Sequence, residues 1–237
     1  YELEHVFMPP GLEKIGVEAF YECTNLKAVV LPDTVKEIQR QAFTNDRYFT
    51  ELVLPQSLEK LEESVFHGCF GIRKLTIPGF LKEIPMKTFY GCKGLKELTI
   101  QGGVQKIGNQ ALGRCTELES VHIPDSVTSL SAAAFRNDVS LTEFQMPERL
   151  HTVSASAFSG CTSLKTVTWS KYLQTIEANA FENTALTEII FPESLTRIGA
   201  YAFAGIGTLE SIVLPENLNT IGSSAFSGTG IQTLKLP

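Results

Sequence analysis

Residues 26–48 read LKAVVLPDTVKEIQRQAFTNDRY, and residues 49–71 read FTELVLPQSLEKLEESVFHGCFG. The two stretches agree column by column: apolar residues stand at the same places, a proline follows an alternating apolar segment, and a phenylalanine follows Ala or Val. A fixed period of this length is typical of repeat proteins, in which each unit is one supersecondary element. The repeat, and no single segment, therefore decides the fold.

The phenylalanine, which we call the marker, recurs along the whole chain. Successive markers are 23 residues apart, except for one step of 22 residues, and a leucine replaces the phenylalanine once. The markers are Phe20, Phe43, Phe66, Phe89, Leu112, Phe135, Phe158, Phe181, Phe203 and Phe226. This repetition accounts for most of the 15 Phe residues. Ten units in register indicate one continuous array.

Each unit contains three short segments with different predicted structures. The V-x-L segment alternates, as at Val29 and Leu31, and predicts a short parallel strand that Pro32 ends because proline lacks a ladder donor. The L-x-x-I segment, as at Val35 and Ile38, predicts a second, minor extended stretch. The A-F-x-x-C segment is too short for a stable helix and predicts a 3₁₀ turn or a single helical turn.

The second position after the marker holds Gly or Asn in eight units. Both residues tolerate a left-handed backbone, so this column predicts the end of each turn. Glu22 and Arg114 occupy the same column and are expected to be strained there.

Stacking buries what one unit cannot bury alone. Equivalent columns of stacked units lie about 4.8 Å apart and form one continuous core. We therefore expect a single mainly β domain over residues 1–237, a solenoid of about ten coils. Neither end shows the polar cap that closes such arrays, so we expect the chain to be a segment of a longer array.

The columns resemble those of leucine-rich repeats, and specifically the BspA-like bacterial repeats of 23 residues. The resemblance covers the entire chain, for example Leu95-x-x-Leu98-x-Ile100. Departures from the pattern are the absent prolines at Gln101 and Ser170, Leu112 at a marker, and Trp169 in a Leu/Ile column. The resemblance implies a right-handed, curved solenoid, and a secreted or surface-exposed bacterial protein with an adhesive or protein-binding role.

The overall charge and the motifs exclude several classes of function. A net charge of −6 disfavours a nucleic-acid or anionic-membrane surface. No apolar run approaches the roughly 20 residues that a membrane helix needs. The sequence contains no zinc-protease, nucleophile-elbow, P-loop, dinucleotide or calcium-loop motif, so we predict no cofactor and no metal.

Five cysteines stand three residues after a marker: Cys23, Cys69, Cys92, Cys115 and Cys161. Their column is otherwise filled by residues such as Asp46 and Thr184, which favours free buried thiols. The spacing of successive coils also permits a disulfide among Cys69, Cys92 and Cys115, and this alternative stays open.

The outward side chains of the V-x-L strands are the first candidate binding surface, because the repeat leaves them free to vary. The candidate residues on this expected concave face are Glu51, Lys74, Thr76, Glu97, Thr99, Ser120, His122, Glu143, Gln145 and Thr168. Glu51, Lys74 and Glu97 alternate in sign and predict a cross-coil charge ladder of small energetic value. The competing interpretation is ordinary strand propensity, since Val and Thr suit any strand.

An aromatic group near the markers is the second candidate surface. Its members are Tyr21, Tyr48, His67, Phe70 and Tyr90. Exposed aromatic clusters often mark interaction sites. The alternative is that these rings fold back over neighbouring coils.

Three functional hypotheses follow. The first, which the family resemblance carries, is a non-enzymatic module on a bacterial surface that binds a protein of a host or neighbouring cell. The second is a structural spacer that holds other domains away from a surface. The third, a glycan-binding or hydrolase domain, has least support: Ser120 and His122 share one strand face with Glu97 and Glu143 of the flanking coils, but no oxyanion hole or pocket is predicted beside them.

Overall fold

The computed structural model describes residues 2–50 and 52–232, and its regular elements are nineteen short strands. No helix occurs in the described parts of the chain. The strands are β1 His5–Phe7, β2 Lys14–Ile15, β3 Ala28–Val30, β4 Glu37–Ile38, β5 Lys60–Leu61, β6 Lys74–Ile77, β7 Glu83–Ile84, β8 Glu97–Ile100, β9 Lys106–Ile107, β10 Ser120–His122, β11 Ser129–Leu130, β12 Glu143–Gln145, β13 Thr152–Val153, β14 Thr166–Thr168, β15 Thr175–Ile176, β16 Glu188–Ile190, β17 Arg197–Ile198, β18 Ser211–Val213 and β19 Thr220–Ile221.

The two strand types form two separate sets of parallel ladders, as the sequence predicts. The three- and four-residue strands carry the V-x-L pattern, and the two-residue strands carry the end of the L-x-x-I pattern. Partners are one repeat apart: Leu75 pairs with Leu98, and Ile176 pairs with Ile198 across the shortened unit. The fold is therefore the expected parallel solenoid with two strands in a coil.

The interior is one continuous core in which equivalent residues stack on each other. Marker rings stack with centroids 5.1 to 5.6 Å apart, in one run from Phe20 to Phe89 and another from Phe135 to Phe226. Leu112, fully buried, separates the two runs. Beside the second run, the buried ring of Phe144 packs edge-on against Phe158 at 4.5 Å.

The turn segments differ from the expected 3₁₀ or helical turn. The N–H groups of Phe43 and Asn45 donate to carbonyls of the next coil, at 2.9 and 2.7 Å, and only the alternate N–H groups, such as that of Thr44, bond three residues back. This alternation makes the turn segment a third ladder between coils. A helical turn cannot form, because half of its donors are used between coils.

Two columns are left-handed in every coil, and the sequence predicts one of them. The second position after the marker has positive φ in every coil, including the predicted exceptions Glu22 at 56° and Arg114 at 62°. A second column, two residues before the marker, also has φ between 54° and 59° and contains no glycine. Its members are Glu18, Gln41, Ser64, Lys87, Gln110, Ala133, Ser156, Asn179, Tyr201 and Ser224.

The ladders are interrupted at defined places. The two-residue strands form a three-stranded sheet ending at β5 and a seven-stranded sheet beginning at β7. Pro85 lies between them, at the position where Glu62 and Gly108 donate an N–H to the preceding coil, and proline has no such donor. The longer strands pair as β1–β3, β6–β8–β10, β12–β14 and β16–β18. One expected strand is absent: Leu52 and Leu54 are buried in their columns, but residues 52–54 form no ladder.

Candidate functional site

The outward side chains of the longer strands form one surface, which we call the strand face. The register places Ser120 beside Glu97 and Glu97 beside Lys74, and it places Gln145 beside Thr168. Nine of the predicted residues lie exposed on this face: Lys74, Thr76, Glu97, Thr99, Ser120, His122, Glu143, Gln145 and Thr168. Glu51 lies outside the described residues, so only the Lys74–Glu97 part of the predicted charge ladder is observed, at 2.8 Å.

Two shallow clefts open on the strand face where the ladder is interrupted. One, of about 190 Å³, lies between β10 and β12 and is lined by Ser120, Glu143, Gln145 and Thr168, among others. The other, of about 260 Å³, lies between residues 52–54 and β6. Both are smaller than the 300–1,000 Å³ that is typical of small-molecule sites.

The Ser120–His122–Glu143 arrangement lacks the contacts of a catalytic triad. His122 does not line the cleft that holds Ser120 and Glu143. Across residues 2–50 and 52–232, no hydrogen bond joins the side chains of Ser120, His122 and Glu143 to one another or to Glu97, which pairs with Lys74. A nucleophile and its base must lie within hydrogen-bond reach, although such contacts are often loose without substrate. The arrangement therefore gives no support to hydrolysis.

An apolar row occupies one end of the strand face. Phe7, Val30 and Val53 lie in one outward column of three successive coils and are 95%, 78% and 78% exposed. Further along the same column stand the polar residues Thr76 and Thr99. The sequence shows this column, but strand propensity is an equally good explanation for Val30 and Val53 there. The large exposure, with a ring at Phe7, identifies the row as a candidate contact.

The predicted aromatic group lies on a different surface, the turn edge. We define the turn edge as the exposed and half-buried side chains from two residues before to five residues after each marker. His67 stacks on Tyr90 with ring centroids 5.3 Å apart, and both are half-buried. Burial, with the charge of Lys87, lowers the pKa of His67. Tyr48 stays 62% exposed and Tyr21 38%. Some rings therefore fold back over the next coil, and others face solvent.

Cations surround these rings, and the sequence reasoning missed them. Arg47 and Lys93 lie 5.7 and 5.2 Å from the ring centre of Phe70, and Arg114 lies 5.9 Å from that of Tyr90. These cations come from the second and fourth positions after different markers, so no single column reveals them. They become a group only when the coils stack.

Four of the five cysteines are buried, and Cys23 is half-buried. All five cysteines are free thiols. The Sγ atoms of Cys69 and Cys161 donate to the carbonyls of Phe43 and Phe135, each at 3.0 Å, and burial raises the pKa of Cys92 to about 12. Within the described residues, no group of three His, Cys, Asp or Glu side chains could hold a metal ion. The described residues likewise include no helix that could span a membrane.

Solved structures of bacterial leucine-rich repeat proteins share this architecture. A leucine-rich repeat protein from Bacteroides ovatus is 29% identical, with a TM-score of 0.83 over 93% of this chain and 60% of its own length. A leucine rich cell surface protein from Faecalibacterium prausnitzii is 32% identical, with a TM-score of 0.62 over 78% of this chain and 47% of its own. The T. pallidum leucine-rich repeat protein, 22% identical with a TM-score of 0.54, shares the fold over 84% of this chain and 72% of its own. The chain thus spans less than two thirds of the first two relatives.

No curated protein matches the sequence significantly. The sequence pattern of the BspA type leucine-rich repeat region matches residues 13–141 and 128–237. Leucine-rich repeat domains generally mediate protein interactions, and solenoids of this kind are generally structural or binding proteins. The columns, the parallel two-strand coil and this match lead to one conclusion: the chain belongs to the BspA-type leucine-rich repeat family.

Proposed function

We propose that this chain is a non-enzymatic module that binds a protein of a host or neighbouring cell, and that it acts in adhesion at a bacterial surface. The family and its surface-located relative from F. prausnitzii support this proposal. Secretion or display at the cell surface is part of the proposal.

The exposed apolar row of Phe7, Val30 and Val53 is the observation that carries the proposal. Apolar side chains that are at least 78% exposed stand in the same outward column of three successive coils, and exposed apolar groups of this kind mark interaction sites. The polar part of the strand face continues from the row at Thr76. An apolar centre beside a polar rim is the usual composition of a protein interface.

The clefts of the strand face favour contact over catalysis. Their volumes of about 190 and 260 Å³ are too small and open to enclose a substrate. Glu143 and the polar side chains around it suit a rim that forms hydrogen bonds with a partner surface. We therefore assign the strand face as the main contact surface.

An array of purified extracellular-matrix and host surface proteins tests the proposal. Val30→Glu combined with Val53→Glu places two carboxylates in the apolar row and should abolish binding to the recognised protein. Val17→Glu combined with Met86→Glu is the matched control, because it adds the same charge at residues that are 46% and 41% exposed but stand outside the strand face. Equal binding by both variants would reject the strand face, and binding to no protein of the array would favour the spacer.

A further inference from the structure

A row of cations lies along the turn edge from the marker Phe43 to the marker Phe135, with at least one Lys or Arg in each coil except that of Phe66. Four of them form no ion pair within the described residues: Arg47, Lys93, Arg114 and Arg136. Glu117 is the only exposed carboxylate in these five turn segments, and it pairs with Arg73 at 3.0 Å. The row is therefore a local positive surface on a chain whose net charge is −6.

A notch lies in this row above Gly113. The position directly after the marker carries Tyr90 in the preceding coil and Arg136 in the following one, whereas Gly113 has no side chain. The notch is a cavity of about 90 Å³ that is lined by Tyr90, Gln110, Arg114, Arg136 and Asn137. The N–H of Arg114 donates to the carbonyl of Arg136 at 2.8 Å, which fixes the two arginines in adjacent coils.

Arg114 adopts a backbone conformation that its residue type disfavours. Its φ is 62°, in a column where Glu22 is the only other residue that is neither Gly nor Asn. Here the backbone bond to Arg136 holds Arg114 in place beside the notch.

Aromatic rings hold the other cations in line without neutralising them. Phe70 lies between Arg47 of the preceding coil and Lys93 of the following coil. A cation–π contact orients a side chain but leaves its charge available to an anion. From Arg47 to Arg136 the row covers four coil spacings, or about 19 Å, which about six residues of an extended peptide match.

We propose that this cationic row binds an extended acidic segment of a partner protein, with one carboxylate held in the notch between Arg114 and Arg136. Arginine forks bind carboxylates through two parallel hydrogen bonds. The rings of Phe70 and Tyr90 offer apolar contact to the side chains between the acids. This inference rests on the proposed function as a protein-binding module, and it adds a second surface and the chemistry of its partner.

Fluorescein-labelled decaglutamate, measured by fluorescence anisotropy in 0.05 and 0.3 M NaCl, is the probe. The chain should bind it, more weakly at the higher salt concentration, because salt screens exposed charges. Combining Arg114→Gly with Arg136→Gln should weaken binding about tenfold or more. Gly suits the left-handed position, so this variant should melt no lower than the unmodified chain.

Arg149→Gln combined with Arg197→Gln is the matched control, since it removes the same charge from exposed sites outside the turn edge. Its affinity for decaglutamate should change less than about twofold. Equal weakening by both double variants, no binding at all, or tenfold tighter binding of a heparin decasaccharide would each overturn the proposal. Val30→Glu with Val53→Glu should leave decaglutamate binding intact. A failure of the cationic row can therefore be distinguished from a failure of the strand face.

Discussion

The side-chain oxygen Oδ1 of Asn137 occupies the place that a β-carbon on Gly160 would take in the next coil. Both residues stand two positions after a marker and are left-handed, with φ of 64° and 77°. The same relationship holds for Asn45 with Gly68 and for Asn183 with Gly205. An asparagine in this column therefore requires a glycine in the next coil, for space as well as for backbone conformation.

Substitutions at two glycines distinguish the steric requirement from the backbone requirement. Gly91 is left-handed at 71° with no atom near its missing β-carbon, so Gly91→Ala should cost only about 1–2 kcal/mol of backbone strain. Gly160→Ala should cost about 1–3 kcal/mol more, because its methyl group overlaps Asn137. Urea denaturation measures both losses. Asn137→Gly in the Gly160→Ala background should recover the difference, and equal losses in the two single variants would contradict the steric explanation.

The unpredicted left-handed column offers a stabilising change. Ser64 has φ of 59°, and its side chain makes no hydrogen bond within the described residues. Ser64→Gly removes strain of roughly 1–2 kcal/mol but adds a glycine entropy cost of roughly 0.5–1 kcal/mol. We expect a net gain of about 0.5–1 kcal/mol in the free energy of unfolding.

Ser131→Gly is the control for Ser64→Gly, because Ser131 lies outside both left-handed columns. It should lose about 0.5–1 kcal/mol through chain entropy alone. If both serine variants lose stability by the same amount, the backbone at Ser64 is not strained.

The fold was predictable because the sequence repeats. The left-handed column before the marker was not predictable. The strands, the core columns and the Gly/Asn column follow from residue types that recur at fixed spacing. Ser64, Lys87 and Tyr201 share a backbone conformation but no side-chain property. Hydrogen bonds between coils, such as Ser64 N–H to the Met86 carbonyl at 3.0 Å, hold that conformation. A sequence pattern cannot reveal a constraint that acts only on the backbone.

The candidate sites were predictable only in part, for a related reason. The strand face follows from alternation, and nine of its ten predicted residues are indeed exposed. The clefts arise where ladders are interrupted, as between β10 and β12, and nothing in the columns indicates this. The cationic row joins Arg47, Arg114 and Arg136 from three different columns. Features that depend on departures from the repeat become visible only in the structure, where the coils are stacked.

Phe135→Ala tests how much the marker stack contributes to stability. Phe135 is fully buried, stacks on Phe158 at 5.4 Å and contacts Phe144 edge-on. Removing its ring should cost about 3–5 kcal/mol, because adjacent coils restrict collapse of the cavity. Phe7→Ala, the same substitution at a 95% exposed site, should change stability by less than about 0.5 kcal/mol. A loss below about 1 kcal/mol for Phe135→Ala would show that the stack is not a core.

Two buried carboxyl groups should make stability depend on pH. Asp46 and Asp138 occupy the cysteine column and are fully buried. Asp46 lies between Cys23 and Cys69, and Asp138 lies near Cys115 and Cys161, with no described cation beside either. Burial raises the pKa of Asp46 from 3.8 to about 8 and that of Asp138 well above 3.8.

The sign follows from proton binding. Between pH 4 and 8, Asp46 keeps its proton in the folded chain but has lost it in the unfolded chain. The free energy of unfolding therefore falls as the pH rises, by up to about 1.4 kcal/mol per pH unit. Asp46→Asn removes this dependence and should therefore gain stability over the unmodified chain from pH 5 to pH 8, in urea denaturation. Exposed Asp33, changed to Asn, should give no such trend. A constant difference between the Asp46→Asn variant and the unmodified chain across this range would show that Asp46 is ionised in the fold.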